Sequence, residues 1–261
     1  MRARHRLFLA EGPQAVREAL GHRTGNGVPI KELFVTVPAR SRHAGLVAAV
    51  AATGAAVHEV SGDVMAELAQ TVTPQGLVAV CPFIDVPLPD LIAAQPRLVA
   101  VLANVRDPGN AGTVLRAADA AGAHGVIFAD ASVDPYNSKC VRSSAGSLFH
   151  LPVVVGVPAA DAAIALRRAG LIVLASDGGA ALGLDELERD GRLDGPAAWM
   201  FGNEAWGLPA GLVAVADDAI RVPIYGQAES LNLAAAAAVC LYASARAQHA
   251  TGQHGGAAPP S

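Results

Sequence analysis

Aromatic side chains make up only 4% of this 261-residue chain, so its core must be assembled from alanine, valine and leucine. Charge is thin as well. Only 16% of residues are charged and 52% are hydrophobic, a balance that buries a substantial core and excludes an extended disordered chain. The three cysteines, Cys81, Cys140 and Cys240, are far apart and odd in number. No CxxC or Cys/His pair has zinc-ligand spacing, so neither a disulfide framework nor a structural metal is expected, and free thiols in a reducing cytoplasm are. Long apolar runs are missing too. Residues 7–10 are too short for the apolar region of a signal peptide, and 231–242 fall well short of a membrane span. The expectation is a soluble, cytoplasmic protein without a membrane partner. The sequence has no GxGxxG after a strand, no GxxxxGK[ST], no HExxH and no GxSxG. Nicotinamide-cofactor binding, P-loop hydrolysis, zinc proteolysis and serine-esterase chemistry therefore lack their usual supports. The net charge of -4 excludes a uniformly basic coat.

The charge that is present is unevenly placed. Residues 1–43 hold eight Arg or Lys against three Glu, a basic front on an acidic body. Such an asymmetry points the N-terminal part toward a polyanion. Helical patterns at 14–20, 46–52 and 64–70 alternate with short β-rich runs at 30–37, 57–60 and 76–80, which predicts a small α/β domain over 1–81. Three prolines within 82–89 mark a linker, placed at 82–96. Longer strands follow at 98–103, 126–129, 151–155, 171–175, 199–201 and 220–224, with helices at 111–121, 159–169 and 231–248. Apolar runs without alternation fit strands buried on both faces of a mainly parallel sheet, so 97–248 read as a larger α/β domain. The end, 249–261, is small and polar and reads as a disordered tail.

Three segments break the monotony, each where a strand gives way to a loop, which is where open α/β sheets bind ligands. In 104–113, Asn110 is placed to cap the next helix, and Arg116 follows one turn on, beside free backbone amides. In 200–209, glycines flank Asn203-Glu204 and suggest a turn through which the backbone approaches a ligand closely. In 222–234, Ser230 reads as the N-cap of an Ala-rich helix, and Asn232 is a poor helix former that needs something to bind. His124 and His150 read as structural.

In this order and spacing, 104–116, 201–209 and 222–234 resemble the three motifs of the SpoU (TrmH-like) family of RNA ribose 2′-O-methyltransferases, in the SPOUT superfamily. Segments 134–146 and 151–153 resemble the family too, and residues 1–87 look like its L30-like substrate-binding domain. The resemblance implies a parallel sheet ending in a deep trefoil knot, one of the rare exceptions to unthreaded topology. It also implies an S-adenosylmethionine (AdoMet) pocket, a homodimer, no metal, and RNA as substrate, with ribosomal RNA favoured over transfer RNA. Carried over position by position, Arg116, Asn110, Glu204, Ser230 and Asn232 are the catalytic candidates. Gly202, Asn203, Val222, Ile224 and Leu231 are expected at the cofactor. Arginine keeps its proton to about pH 12, so Arg116 reads as a clamp on phosphate and developing alkoxide rather than as a base. Arg2, Arg4, Arg6, Arg40 and Arg42, with Lys139 and Arg142 one helical turn apart, are the expected RNA contacts. A catalytically silent RNA-binding or ribosome-assembly protein is the alternative; the presence of all five polar motif residues argues against it.

Overall fold

Among the described residues, four strands of the first 82 form one sheet and seven later strands form a second, in a computed structural model that describes residues 2–22, 27–69, 71 and 73–254, with no side-chain description for 2–3 and 251–254. The first part runs α1 (Arg2–His5), β1 (Leu7–Glu11), α2 (Gly12–Gly21), β2 (Glu32–Val35), α3 (Val37–Arg42), α4 (Ala44–Ala51), β3 (Ala56–Glu59), α5 (Gly62–Ala69) and β4 (Leu77–Pro82). Its strand order is β1-β4-β2-β3, with β4 antiparallel to both β1 and β2. Strand β1 lies in residues too few for a signal peptide, and the sequence pattern did not single it out as a strand. Helix α3 begins where the β-rich run was expected to continue, because Thr36 accepts the Ala39 N–H and Pro38 sits in the first turn.

The second part runs α6 (Leu88–Ala93), β5 (Leu98–Ala103), α7 (Pro108–Ala120), β6 (Gly125–Ala129), α8 (Ser138–Ser143), a 3₁₀ turn (Ser147–Phe149), β7 (Val153–Val155) and α9 (Ala159–Arg168). There follow β8 (Ile172–Ser176), β9 (Leu182–Gly183), α10 (Leu184–Arg189), β10 (Ala197–Phe201), α11 (Ala210–Val213), β11 (Asp218–Arg221) and α12 (Leu233–His254). Every pairing in the order β7-β6-β5-β10-β8-β11-β9 is parallel. Alternation along β5 shows why its run is unbroken: Leu98, Ala100 and Leu102 join one core, Val99, Val101 and Ala103 the other. Helices α7 and α12 cover the first face and α9 the second. Trp199, fully buried on β10, donates its indole N–H to Ser244 Oγ at 2.8 Å and pins α12 to the sheet. The last strand lies three residues upstream of its expected end. Helix α12 continues past Gln248 to His254, so the expected tail is helical over 249–254; 255–261 lie outside the described residues.

The scarce aromatics concentrate where the two parts meet. Phe83 stacks on Tyr136 with ring centroids 3.9 Å apart, and Phe8 packs against Tyr136 and Phe149. Tyr136 Oη donates to Asp85 at 3.0 Å and accepts the Ile84 N–H at 2.8 Å; burial first, then Asp85, pushes its phenol above the ordinary tyrosine range, so it stays a donor. The segment expected to be a plain linker is therefore fixed. It carries α6, whose Leu91 is buried, and Val86 N–H bonds the Val153 carbonyl. Pro89 in the first turn of α6 explains the difference, since a proline there starts a helix as readily as it marks a linker.

His150 also spans the seam, with Nε2 3.1 Å from Glu18 on α2 and Nδ1 2.7 Å from Asp119 on α7. Burial opposes its protonation, but the bonds to Asp119 and Glu18 outweigh that and raise its pKa. A raised folded-state pKa stabilises fully below the unfolded value near 6.5 and loses that contribution as pH climbs through the folded value. Denaturant titrations should show stability falling across that window in the wild type and a flatter profile in His150→Gln.

Candidate cofactor and nucleic-acid site

A cavity of about 520 Å³ opens at the carboxyl ends of β8, β10 and β11, the position expected of a ligand site in a parallel sheet. Its walls come from three turns, at 176–178, 202–207 and 222–231, closed below by Leu233 and Ala236 of α12. All five expected cofactor residues, Gly202, Asn203, Val222, Ile224 and Leu231, line it, together with Glu204 and Ser230.

The second turn is held by reciprocal backbone bonds of 2.9 Å between Asn203 and Gly207. The Asn203 side chain donates to the Asn104 carbonyl at 2.9 Å and accepts the Ala205 N–H at 2.8 Å, tying the first and second motifs together. Gly202 is required here, since a Cβ would lie 2.2 Å from the Gly207 carbonyl carbon.

Glu204 gathers the first motif. It accepts the Asp107 N–H at 3.1 Å, the Arg106 N–H at 3.3 Å and the Asn110 amide at 3.2 Å. Burial pushes its pKa up, yet these bonds and its own backbone N–H prevail and hold it below the ordinary carboxylate range. A carboxylate so satisfied is a weak base, and its geometry is that of a brace. Asn110 passes the connection on, accepting the Asn232 amide at 3.1 Å. Two capping assignments are corrected. Asp107, not Asn110, caps α7 by accepting the Asn110 N–H at 2.8 Å. Asn232, not Ser230, caps α12 by accepting the Ala234 N–H at 2.9 Å, which leaves Ser230 exposed on the cavity wall. The Asp107 cap leaves the Asn110 side chain to bond Glu204 and Asn232, and the Asn232 cap leaves Ser230 on the cavity wall.

Arg116 stands apart. It is exposed on α7, six residues or about 9 Å of helix beyond Asn110, outside the cavity wall and without a hydrogen-bond or ion-pair partner among the described residues. Helix α8 is clamped beside α7 because Gly112 has no side chain: a Cβ there would fall 2.0 Å from Ser143 Oγ and 2.4 Å from the Cys140 carbonyl. The expected RNA contacts on α8 are both paired, Lys139 to Asp107 at 2.8 Å and Arg142 to Glu11 at 3.4 Å. Arg6 pairs with Asp85 and Arg40 with Glu59. Arg4 and Arg42 are exposed, without such a partner among the described residues, and the Arg2 side chain lies outside them. The three cysteines are buried, and burial pushes Cys140 and Cys240 up to about 12, so none is poised as a nucleophile.

Ser176, Gly178 and Arg221 line the cavity although the sequence motifs do not include them. A signal was available in Ser176-Asp177-Gly178-Gly179, a turn sequence directly after a buried strand. Among the described residues no three His, Cys, Asp or Glu side chains gather to hold a metal, and no helix is long and apolar enough to cross a membrane.

Comparison with known proteins agrees with this geometry. The model of the SpoU rRNA Methylase family matches residues 97–242, and that of the MRM3-like substrate binding domain matches 1–79. The chain is 35% identical over 242 residues to the 23S rRNA (guanosine(2553)-2'-O)-methyltransferase RlmP of Bacillus subtilis, covering 92% of this chain and 89% of that one. The SpoU methyltransferase AviRb from Streptomyces viridochromogenes, solved in complex with the cofactor AdoMet, matches with TM-score 0.80 and 30% identity over 95% of this chain and 93% of that one. An AdoMet-bound rRNA methyltransferase from Sinorhizobium meliloti matches with TM-score 0.79 and 32% identity, covering 94% and 89%. The family match and the AdoMet-bound relatives identify the class, an AdoMet-dependent methyltransferase with its cavity at the strand ends of a parallel sheet. The chain belongs to the SpoU family of RNA methylases.

Proposed function

We propose that this protein methylates a ribose 2′-hydroxyl in 23S ribosomal RNA, the substrate named for RlmP. The observation that carries the reading is the chain of bonds from Glu204 through Asn110 to Asn232, which gathers three motifs remote in sequence beside one cavity.

The cavity fits the cofactor. Its volume lies within the roughly 300–1,000 Å³ typical of small-molecule sites, and Val222, Ile224 and Leu231 give apolar walls suited to adenine. The carboxylates of Glu204 and Glu229 against the one guanidinium of Arg221 leave its wall net negative, which suits a cationic ligand. When bound, AdoMet supplies an electrophilic methyl group. The protein's own residues must then position a weakly nucleophilic hydroxyl. Arg116, exposed and without a partner among the described residues, is assigned to grip the adjoining phosphate and stabilise negative charge growing on the ribose oxygen. Asn110, Ser230 and Asn232 orient the sugar, with Glu204 bracing Asn110.

Strand β11 lies between β8 and β9, whose joining loop 177–181 spans it, with Asp177 N–H bonded to the Ile220 carbonyl and Arg221 bonded to the Ala180 carbonyl. Since the chain then runs on into α12 over the sheet face, this arrangement supports a deep trefoil knot at the cofactor site. The division into an RNA-binding unit at 1–81 and a catalytic unit at 97–248 accords with the two family matches. Exposed Val239 and Tyr242, on one side of α12, supply an apolar stripe for a homodimer. The ribosomal substrate places its work in the cytoplasm.

With Arg4, Arg42, Lys139 and Arg142 as the four phosphate contacts, RNA affinity should fall by about a hundredfold between 50 and 200 mM salt. Filter binding across that range tests this, and a flat response would remove these residues from the interface.

A further inference from the structure

Eight of the eleven aromatic residues are buried or half-buried, which makes the other three conspicuous. Tyr242 bonds the Ala120 carbonyl, but Trp206, 59% exposed, and Tyr225, 92% exposed, have no hydrogen-bond or ring partner among the described residues. Both stand at the cavity. Trp206 lies between the lining residues Ala205 and Gly207, and Tyr225 directly follows the lining residue Ile224. Tyr225 in particular is almost wholly exposed, so its ring adds little to the packing of the fold.

We propose that Trp206 and Tyr225 are a stacking surface for the nucleobase of the nucleotide being methylated. The inference rests on the proposed reaction and extends it to recognition of the target. A ribose 2′-oxygen that reaches the cavity brings its base along, three bonds away, and that base has left its neighbours in the RNA stack. It then needs a replacement surface, and an exposed aromatic face provides one for any base. The placement favours a nucleic acid over a second copy of this chain. The two rings sit on cavity-lining loops that also carry Glu204, Gln227 and Glu229, whereas exposed Val239 and Tyr242 lie on α12, outside the cavity wall.

The test uses the full chain with deproteinised 23S rRNA and saturating AdoMet. Trp206→Ala and Tyr225→Ala should each lower kcat/KM for RNA by about tenfold to a hundredfold, Tyr225→Phe should restore most of it, and AdoMet affinity should stay within about twofold. Of the two tryptophans, Trp199 is fully buried, so RNA should quench the Trp206 emission, and Trp206→Phe should abolish the quenching. Unchanged methylation in both alanine variants would overturn the proposal. So would loss of activity accompanied by a fall in sedimenting mass, which would make the rings a seam between copies, or by loss of AdoMet affinity, which would make them a lid on the cofactor. If the wild type transfers no methyl to RNA, the proposed reaction fails, and the quenching titration still decides whether the rings meet RNA.

Discussion

Alanine at Arg116 should slow methyl transfer by about a hundredfold to a thousandfold, the usual effect of deleting a donor to a developing oxyanion. The same variant should bind AdoMet as the wild type does, since Arg116 lies outside the cavity wall. It should also keep its stability within about 0.5 kcal/mol, because the side chain is exposed and has no partner among the described residues. Single-turnover methylation, calorimetric titration with AdoMet and thermal unfolding measure the three separately. Lysine at the same position should recover only part of the rate, because a point charge lacks the planar fork that grips phosphate through two bonds. Methylation near the wild-type rate in Arg116→Ala would remove the residue from the mechanism.

The second large effect is expected at Gly202. A Cβ at this position would lie 2.2 Å from the Gly207 carbonyl carbon and 2.4 Å from both the Gly207 oxygen and the Leu208 nitrogen. All three are backbone atoms, so no side-chain rotation relieves the clash. Gly202→Ala must open the turn, at a cost of about 1–3 kcal/mol typical of overpacking. The displaced turn forms one cavity wall, and each 1.4 kcal/mol of lost fit weakens binding about tenfold. AdoMet affinity should therefore drop by at least about that factor, ahead of any change in RNA affinity. An alanine variant with wild-type cofactor affinity would show that the turn does not form the wall.

These two sites differ in how far the sequence exposed them. Gly202 was legible through its motif, in which glycines flanking Asn203-Glu204 suggest a turn that brings the backbone close to a ligand. Arg116 was legible through its motif, yet pattern alone could not show that it stands free while Lys139 and Arg142 are neutralised by Asp107 and Glu11. Such pairing depends on α8 lying against α7, which a missing side chain at Gly112 permits. The long apolar strands were readable because burial on both faces leaves an unbroken hydrophobic run. Strand β1 was not, since five residues between an arginine cluster and Gly12-Pro13 offer no run to measure. The caps misled for a related reason: Asp107 and Asn110, or Ser230 and Asn232, are all good capping residues, and only the helix start selects between them. Likewise the prolines of 82–89 announced a break in periodicity but not the aromatic contacts of Phe83 that fix the segment to Tyr136.

The central claim is that the cavity and its neighbouring motifs direct a methyl group to a ribose oxygen of ribosomal RNA. Alkali cleaves RNA through the free 2′-hydroxyl, so its methylation protects the adjoining linkage. Incubating the protein with deproteinised 23S rRNA and AdoMet carrying a labelled methyl group, then digesting to completion with alkali, reads the claim directly. Label in an alkali-stable dinucleotide is the result this account predicts. Label in mononucleotides would place the methyl group on a base and contradict it.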